Sequence, residues 1–470
     1  MRANAALALG LGVLLSVCAI APRARASGFM VSKMGGDTSG PTEDNAASVF
    51  WNPAAIGAIE APGSLMLDAN LIWRSLDFTR TWPEGYDPGA RAAHPGTMST
   101  QDTLPMLAGT ARPGLDWLTL GLAFYVPFGH RSDWPAWDLE LERDKPRDEQ
   151  VAPAQAFHTL KGGIKTLYTT AAISFRVNDW LWLGGGLSWV YALVDSTRAR
   201  DFSQDILPGL LPVETVEYSG LVELDFAGHG WSWSLGALAR PHRRLRLGVS
   251  FTSGVALDLA GSTRLRLPPV LHPSYGTEVS SGARFRMRIP PVLRAGLQLD
   301  CADWLVFRVV VETAFWSDYD EVAVTRLRFE NADGPVSGTL GEVREFRSRR
   351  DYRDALDVRA GFRFFPSAWW MLYVGAGYDM DAAPGETTTP DLYDAPKFGL
   401  AGGTRLQLVP LLEWLLGGDL ARDDWAALAL GVTWVRYLHK EVAWSEADPP
   451  ITGGYDHAAW IFNTSLDVRF

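Results

Sequence analysis

The C-terminal residues alternate strictly: Trp460, Phe462, Leu466, Val468 and Phe470 fall on one face of an extended chain, and Asn463, Ser465, Asp467 and Arg469 on the other. A side-chain period of two specifies a β-strand with one apolar and one polar face. The same dyad runs through Leu245, Leu247, Val249 and Phe251 against Arg244, Arg246, Gly248 and Ser250, and again through Leu356 to Phe364 and Phe398 to Leu408. Beyond the first two dozen residues no run of about 20 apolar residues occurs, so no helical membrane span is encoded there. Two architectures remain: a soluble all-β protein, and a membrane β-barrel whose hydrophobicity is diluted by alternation.

Following the alternation from end to end gives about fourteen segments, an even number as in bacterial outer-membrane barrels. The expected strands are 63–77, 104–112, 117–128, 165–177, 180–196, 219–239 and 243–258, then 283–300, 304–325, 352–365, 369–380, 398–409, 425–437 and 457–470. Short turns such as 177–179, 240–242 and 301–303 alternate with long connections such as 78–103, 129–164, 197–218 and 259–282. That asymmetry fits short periplasmic turns and long external loops. The connection 410–424 is longer than the pattern wants, and Leu411 to Leu416 reads as a short helix within it.

Of the 20 tryptophans, Trp117, Trp180, Trp304, Trp369 and Trp425 each open a strand just after a turn. An indole has an apolar body and one N–H donor, which suits the lipid–water boundary, so a row at one depth forms an aromatic girdle. A tryptophan core in a soluble sandwich leaves that recurrence unexplained.

Arg2, the apolar stretch Ala5 to Ala21 and the box Ala24-Arg25-Ala26 form a secretory signal, so residues 1–26 are expected to be removed. Cys18 offers a lipobox alternative, against which Val17 stands where a small residue belongs. Cleavage leaves Cys301 as the single thiol, which excludes an intramolecular disulfide. With 43 Lys+Arg against 54 Asp+Glu, the chain lacks the basic excess that a nucleic-acid partner demands. Export, no disulfide and no spanning helix point to a bacterial envelope protein, and with the barrel reading the expected location is the outer membrane of a Gram-negative bacterium.

Gly28-Phe29 followed by Asp44-Asn45-Ala46-Ala47-Ser48-Val49-Phe50-Trp51-Asn52-Pro53-Ala54 resembles the N-terminal hatch of the outer-membrane long-chain fatty-acid transporter (FadL-like) family. Val126-Pro127-Phe128-Gly129 leaving the third strand, Phe175 to Trp180, Gly184 to Tyr191, Trp316-Ser317, and Tyr378-Asp379 with Pro384 and Pro390-Asp391 follow in the family's order. The similarity covers most of the mature chain. It implies an all-β fold, a transmembrane antiparallel β-barrel of about fourteen strands, with residues 27–62 as a hatch plugging the lumen and 63–470 as the barrel. It further implies passive uptake of hydrophobic molecules, either long-chain fatty acids or aromatic and aliphatic hydrocarbons. External loops capture the ligand, an internal apolar pocket holds it, and an inward kink of the third strand releases it sideways into the membrane. Each buried CH2 is worth about 0.8 kcal/mol, so an apolar ligand gains from an exit into lipid and nothing from a water-filled pore.

Asn52, Pro53 and Ala54 mark the hatch; the other reading is a periplasmic arm. Pro127, Phe128 and Gly129 mark the kink, because Pro127 lacks the ladder N–H and Gly129 a side chain; an ordinary strand end is the alternative. In loop 197–218, Phe202, Ile206, Leu207, Leu210 and Leu211 have helical spacing, read as a greasy capture helix or as a helix packed on its neighbours. Arg198, placed just past the fifth strand, matches a basic position of the fatty-acid transporter and is the candidate head-group cation, or else a solvated loop arginine. Leu193 and Ala323 stand where further basic residues of that transporter fall, which leaves neutral hydrocarbons open as ligands. Arg344, Arg347, Arg349, Arg350 and Arg353 form the one basic cluster, facing lipopolysaccharide phosphates or only water. Gly184 to Gly186 are expected to leave room in the lumen.

No HExxH, GxSxG or P-loop occurs, and Gly375-Ala376-Gly377 lacks the third glycine of a dinucleotide fingerprint, so no catalytic residue, metal or cofactor is assigned. The expected protein is a monomeric channel whose partners are a hydrophobic small molecule and outer-membrane lipid with lipopolysaccharide. Two other classes stay open: a structural or adhesive barrel without transport, and a lipid-modifying enzyme using an external histidine such as His130 or His439.

Overall fold

The computed structural model describes residues 33–36, 39–82, 84–85, 91–93, 96–206, 209–210, 212–327, 345–409, 426–447 and 449–470. Among them, 14 antiparallel strands close into one barrel. These are β1 (Gly63–Thr81), β2 (Gly96–Ala111), β3 (Leu118–Asp133), β4 (Lys161–Asn178), β5 (Leu181–Asp201) and β6 (Ser219–His242). Four strands then run in two segments each: β7 (Leu245–Thr252 and Val255–Arg266), β8 (Glu278–Ile289 and Val292–Ala302), β9 (Leu305–Ala314 and Glu321–Thr325) and β10 (Glu345–Arg349 and Ala355–Ser367). β11 (Trp370–Asp379), β12 (Lys397–Gln407), β13 (Ala426–Tyr437) and β14 (Thr452–Arg469) complete the order. β14 pairs with β1 from Ser64↔Arg469 to Thr81↔Thr452, so no edge remains unpaired at the seam. Closure of this kind is what allows strands to cross lipid.

The faces are inverted relative to a soluble protein. Leu65, Leu67, Leu71, Leu183, Leu187 and Leu235 are exposed, while Asp68, Asn70, Arg74 and Arg308 are buried in the interior. Trp117, Trp180 and Trp304 are exposed, and Trp369 stacks on Trp370 at 6.1 Å. The carbonyls of Trp117, Trp180, Trp304 and Trp369 accept from the backbone N–H of Arg176, Arg240, Phe365 and Gln407 at 2.8, 2.7, 2.9 and 2.8 Å. Each of the four tryptophans therefore occupies the end rung of its ladder with the next strand. Trp425 and the helix expected at 411–416 lie outside the described residues.

The sequence reading missed a second row. Trp189 pairs with Trp231, and Trp73, Trp460 and Trp434 lie side by side across β1, β14 and β13. On β5, Trp189 follows Trp180 by about 30 Å at roughly 3.3 Å per residue, which is about 23 Å of membrane thickness at a strand tilt near 40°. The two rows bracket an apolar band of the expected height.

The strands also run further outward than the alternation predicted. The connection read as 259–282 shrinks to 267–277, because β7 continues to Arg266 and β8 starts at Glu278. The polarity of the faces reverses there: Leu257, Leu259 and Leu265 are buried, whereas Asp258, Arg264 and Arg266 lie open. A reading that looks for an apolar outer face stops at the membrane boundary, although the ladder does not. The reversal follows a break at one depth, at Ser253-Gly254, Pro290-Pro291, 315–320 and 350–354, around which Val292 pairs with both Thr252 and Ala314, and Ala314 with Ala355.

Candidate functional site

Residues 39–58 pack against lumen-facing groups. Asn52 Nδ2 donates to the carbonyls of Pro41 at 2.8 Å and Ala237 at 3.0 Å, while its Oδ1 accepts from Ala54 N at 3.1 Å. Ser174 Oγ donates to Ala54 O at 2.8 Å and Ser250 Oγ to Trp51 O at 2.5 Å. Pro53 and Ala54 rest on Gly184, where a Cβ would come within 2.5 Å of Ala54 N and Pro53 C, and Asn52 rests on Gly236, its ladder partner. Gly184 thus accommodates backbone and leaves no open room. Glu43 meets Arg308 and, at 2.8 Å, Arg363; Asp44 meets Arg246 at 2.5 Å and Arg240 at 3.3 Å. Burial alone would raise the Glu43 carboxyl, but Arg308 and Arg363 prevail and hold it well below the ordinary carboxylate range.

β3 carries the second feature. Its ladder with β2 runs from Ala111↔Leu120 to Met106↔Tyr125 and ends there, although β2 extends to Gly96 and β3 to Asp133. On the other side, β3 pairs with β4 through Tyr125↔Tyr168 and resumes at Phe128↔Thr166, one extra residue having entered β3. Alternation fails over Tyr125, Val126, Pro127 and Phe128, which are all buried. Pro105 of β2, overlooked in the sequence, sits one residue past the last pair of that ladder and, like Pro127, has no N–H to donate. Gly129 lies where a Cβ would approach Leu104 Cδ2 at 2.9 Å. Behind the break is a small cavity, about 20 Å³ of it open to water, between Phe50, Pro127, Phe128, Tyr168 and Val292.

A larger cavity, about 1520 Å³ with its open mouth included, lies at the external end. Ile164, Val194, Leu224, Leu265, Phe285 and Val324 form its apolar wall, and His158, Thr159, Arg198, Arg350 and Asp391 a polar corner. Arg198 lies within β5, not past it, with its guanidinium 5.2 Å from the Phe346 ring. Arg350 Nη1 donates to Thr389 Oγ1 at 2.8 Å, and Nη2 stands 3.6 Å from Asp391. His158 is driven well below its usual pKa by burial and by Arg80, Arg198 and Arg350, and so stays neutral. The basic cluster therefore divides: Arg350 turns into the cavity, whereas Arg347 and Arg349 are exposed beside Glu321 and Asp351; Arg344 lies outside the described residues. Leu193 faces outward and Ala323 is paired with Arg347 rather than lining the cavity, so neither position offers a ligand contact.

The loop helix is short, Ser203–Ile206. Phe202 is fully buried against Val222, Leu265 and Leu271, with Ile206 packed on the same cluster, so these two back the cavity wall instead of presenting a greasy face. Leu210 is exposed; Leu207 and Leu211 lie outside the described residues. His130 lines the cavity with Nδ1 3.0 Å from Arg74, and His439 sits 3.1 Å from Asp456 on the surface.

The long-chain fatty acid transport protein of Escherichia coli is 20% identical over 485 aligned residues, covering 97% of each chain. Among solved structures, a FadL homologue of Pseudomonas aeruginosa matches with a TM-score of 0.75 and 16% identity, over 94% of this chain and 100% of its own. The toluene transporters TodX of Pseudomonas putida and TbuX of Ralstonia pickettii match with TM-scores of 0.64 and 0.61 at 15% and 14% identity, each over 95% of this chain and 99% of theirs. The family described as outer membrane protein transport protein (OMPP1/FadL/TodX) matches residues 17–405. With that match over most of a closed outer-membrane barrel, the chain belongs to this family and is a transport channel rather than an enzyme.

Proposed function

We propose that the protein takes up hydrophobic molecules by passive diffusion and delivers them sideways into the outer membrane through the break between β2 and β3. The loss of β2–β3 pairing beyond Met106↔Tyr125, with a small cavity behind it, carries this reading. Residues 27–62 act as the plug that denies the ligand a straight axial path. The external cavity is the capture site, and its two-sided lining favours an amphiphile: an apolar tail along Leu224, Leu265 and Phe285, and an anionic head toward Arg198, Arg350 and the neutral His158. The related fatty-acid and toluene transporters frame the choice of ligand.

Uptake of a radiolabelled long-chain fatty acid and of an alkylbenzene by cells with and without the gene tests the function. Equal uptake in both strains sinks it. Binding of the fatty acid and of its methyl ester to purified protein tests the polar corner. A preference for the acid that Arg350→Met abolishes is expected, whereas equal binding removes Arg198 and Arg350 from the head-group role.

A further inference from the structure

The proposed hydrophobic route uses the β3–β9 side of the lumen and leaves the β10–β13 side without a task. Among the described residues, that side encloses space bordered by charged side chains. An upper cavity, about 70 Å³ of it open to water, lies among Lys33, Asp357, Arg359, Asp379 and Lys397, against a wall of Gly361, Gly375, Gly377 and Gly399. A lower one, about 30 Å³ of it open to water, continues toward the periplasmic end among Glu43, Arg363, Arg405, Asn463 and Asp467. They adjoin through one ion cluster, since Arg308 of the upper cavity and Arg363 of the lower both hold Glu43. Along both linings the cations Lys33, Arg308, Arg359, Arg363, Lys397 and Arg405 outnumber the acids Glu43, Asp357, Asp379 and Asp467. The Thr433 hydroxyl, 4% exposed on the upper cavity, has no hydrogen-bond partner among the described residues. A buried hydroxyl left so is completed by water or by a polar solute.

Tyr373 lines the lower space, two residues along β11 from Gly375 of the upper one. Its ring lies across β12 and β13, where a Cβ on Gly403 would come within 2.5 Å of the ring and one on Gly431 would strike the hydroxyl. Two glycines on neighbouring strands thus seat one aromatic bar. We propose that the β10–β13 side is a separate route for small hydrophilic anions, barred by Tyr373. Rings of arginine and lysine select anions in pores, and a hydrophobic cargo has no use for such a lining.

The test is conductance of the purified full-length protein in planar bilayers bathed in potassium chloride. Tyr373→Ala is expected to pass current several-fold above the native protein with chloride preferred over potassium, Tyr373→Phe to match the native protein, and hydrophobic uptake to be unchanged in Tyr373→Ala. The proposal is overturned by a Tyr373→Ala barrel as tight as the native one, by current without chloride preference, or by current accompanied by lost uptake, which marks a dislodged N-terminal segment. A second measurement needs no opening of the bar. In a Cys301→Ser background, Thr433→Cys is expected to react with a water-soluble anionic thiol reagent at least several-fold faster than with a cationic one of similar size; no labelling, or the reverse order, overturns it. Because uptake and current are read separately, loss of the uptake hypothesis leaves this one standing, and the converse.

Discussion

At Gly184 and Gly236 the barrel wall has no side chain because the backbone and side chain of Asn52-Pro53-Ala54 occupy that space. Gly184→Leu drives its Cβ into backbone that is itself hydrogen-bonded, and overpacking of this kind costs about 1–3 kcal/mol. The expected outcome is faster proteolysis within residues 39–62 and a lower unfolding midpoint in urea, with the barrel's strand signal retained. Glu43 gives this contact a pH dependence. Its carboxyl, held well below the ordinary 4.5 against the opposing effect of burial, stabilises the docked segment at every pH above about 4.5, and the contribution is lost as pH falls below that value. Protection of residues 39–62 from protease is therefore expected to be flat from pH 5 to about 8 and to decline below 4.5; a flat profile down to pH 3 would remove Glu43 from the anchor. The Asn-Pro-Ala segment was legible in the sequence through its family likeness, but its glycine seats were not, because a glycine that receives a distant backbone looks the same in sequence as one that leaves a void. Arg350 was hidden for a similar reason: four neighbouring arginines suggested one solvated patch, and only the break at 350–354 turns one of them inward.

β3 shows how far a single added residue alters the pairing of an element. The insertion at Val126-Pro127 shifts the register against β4, and with Pro105 just past its last pair, the β2 ladder is not resumed. Gly129→Glu places a charged side chain against Leu104 in the gap and is expected to lower uptake of labelled ligand at least about tenfold, since an unpaired carboxylate in an apolar passage is costly. Gly282→Glu, at a position where a Cβ meets nothing within 4 Å, serves as the matched control and should transport normally. Equal uptake by both variants would place the exit elsewhere. The register shift falls beside Pro127 and Gly129, where the sequence led to the expectation of a kink, whereas the true strand lengths were not readable. Alternation reports which face is apolar, and the apolar face changes from outer to inner where β7 to β10 leave the membrane.

Taken whole, the barrel sorts its surfaces by solvent: an apolar belt outside, the proposed hydrophobic passage behind β3, and a charged lumen along β10–β13. The belt is the part that composition and periodicity alone could fix, because lipid imposes one condition on every strand at once, while each lumen contact is particular to its pair. Five turn-side tryptophans were legible as one girdle, four of them described here, but the second was not, since Trp73, Trp189, Trp231, Trp434 and Trp460 sit in mid-strand with no turn to mark them. Two girdles fix a thickness. At about 23 Å between rows, the belt is shorter than the roughly 30 Å hydrocarbon core of a typical bilayer, and mismatch costs a fraction of a kcal/mol per Å. Folding yield from urea into vesicles is therefore expected to be highest with short-chain phosphatidylcholines and to fall steadily as the acyl chains lengthen. Replacing Trp189 and Trp231 by alanine should flatten that dependence more than replacing the pair Trp444 and Trp137, which lie outside the rows. A yield indifferent to chain length, or equal flattening by both pairs, would mean that the second row does not mark the outer boundary of the belt.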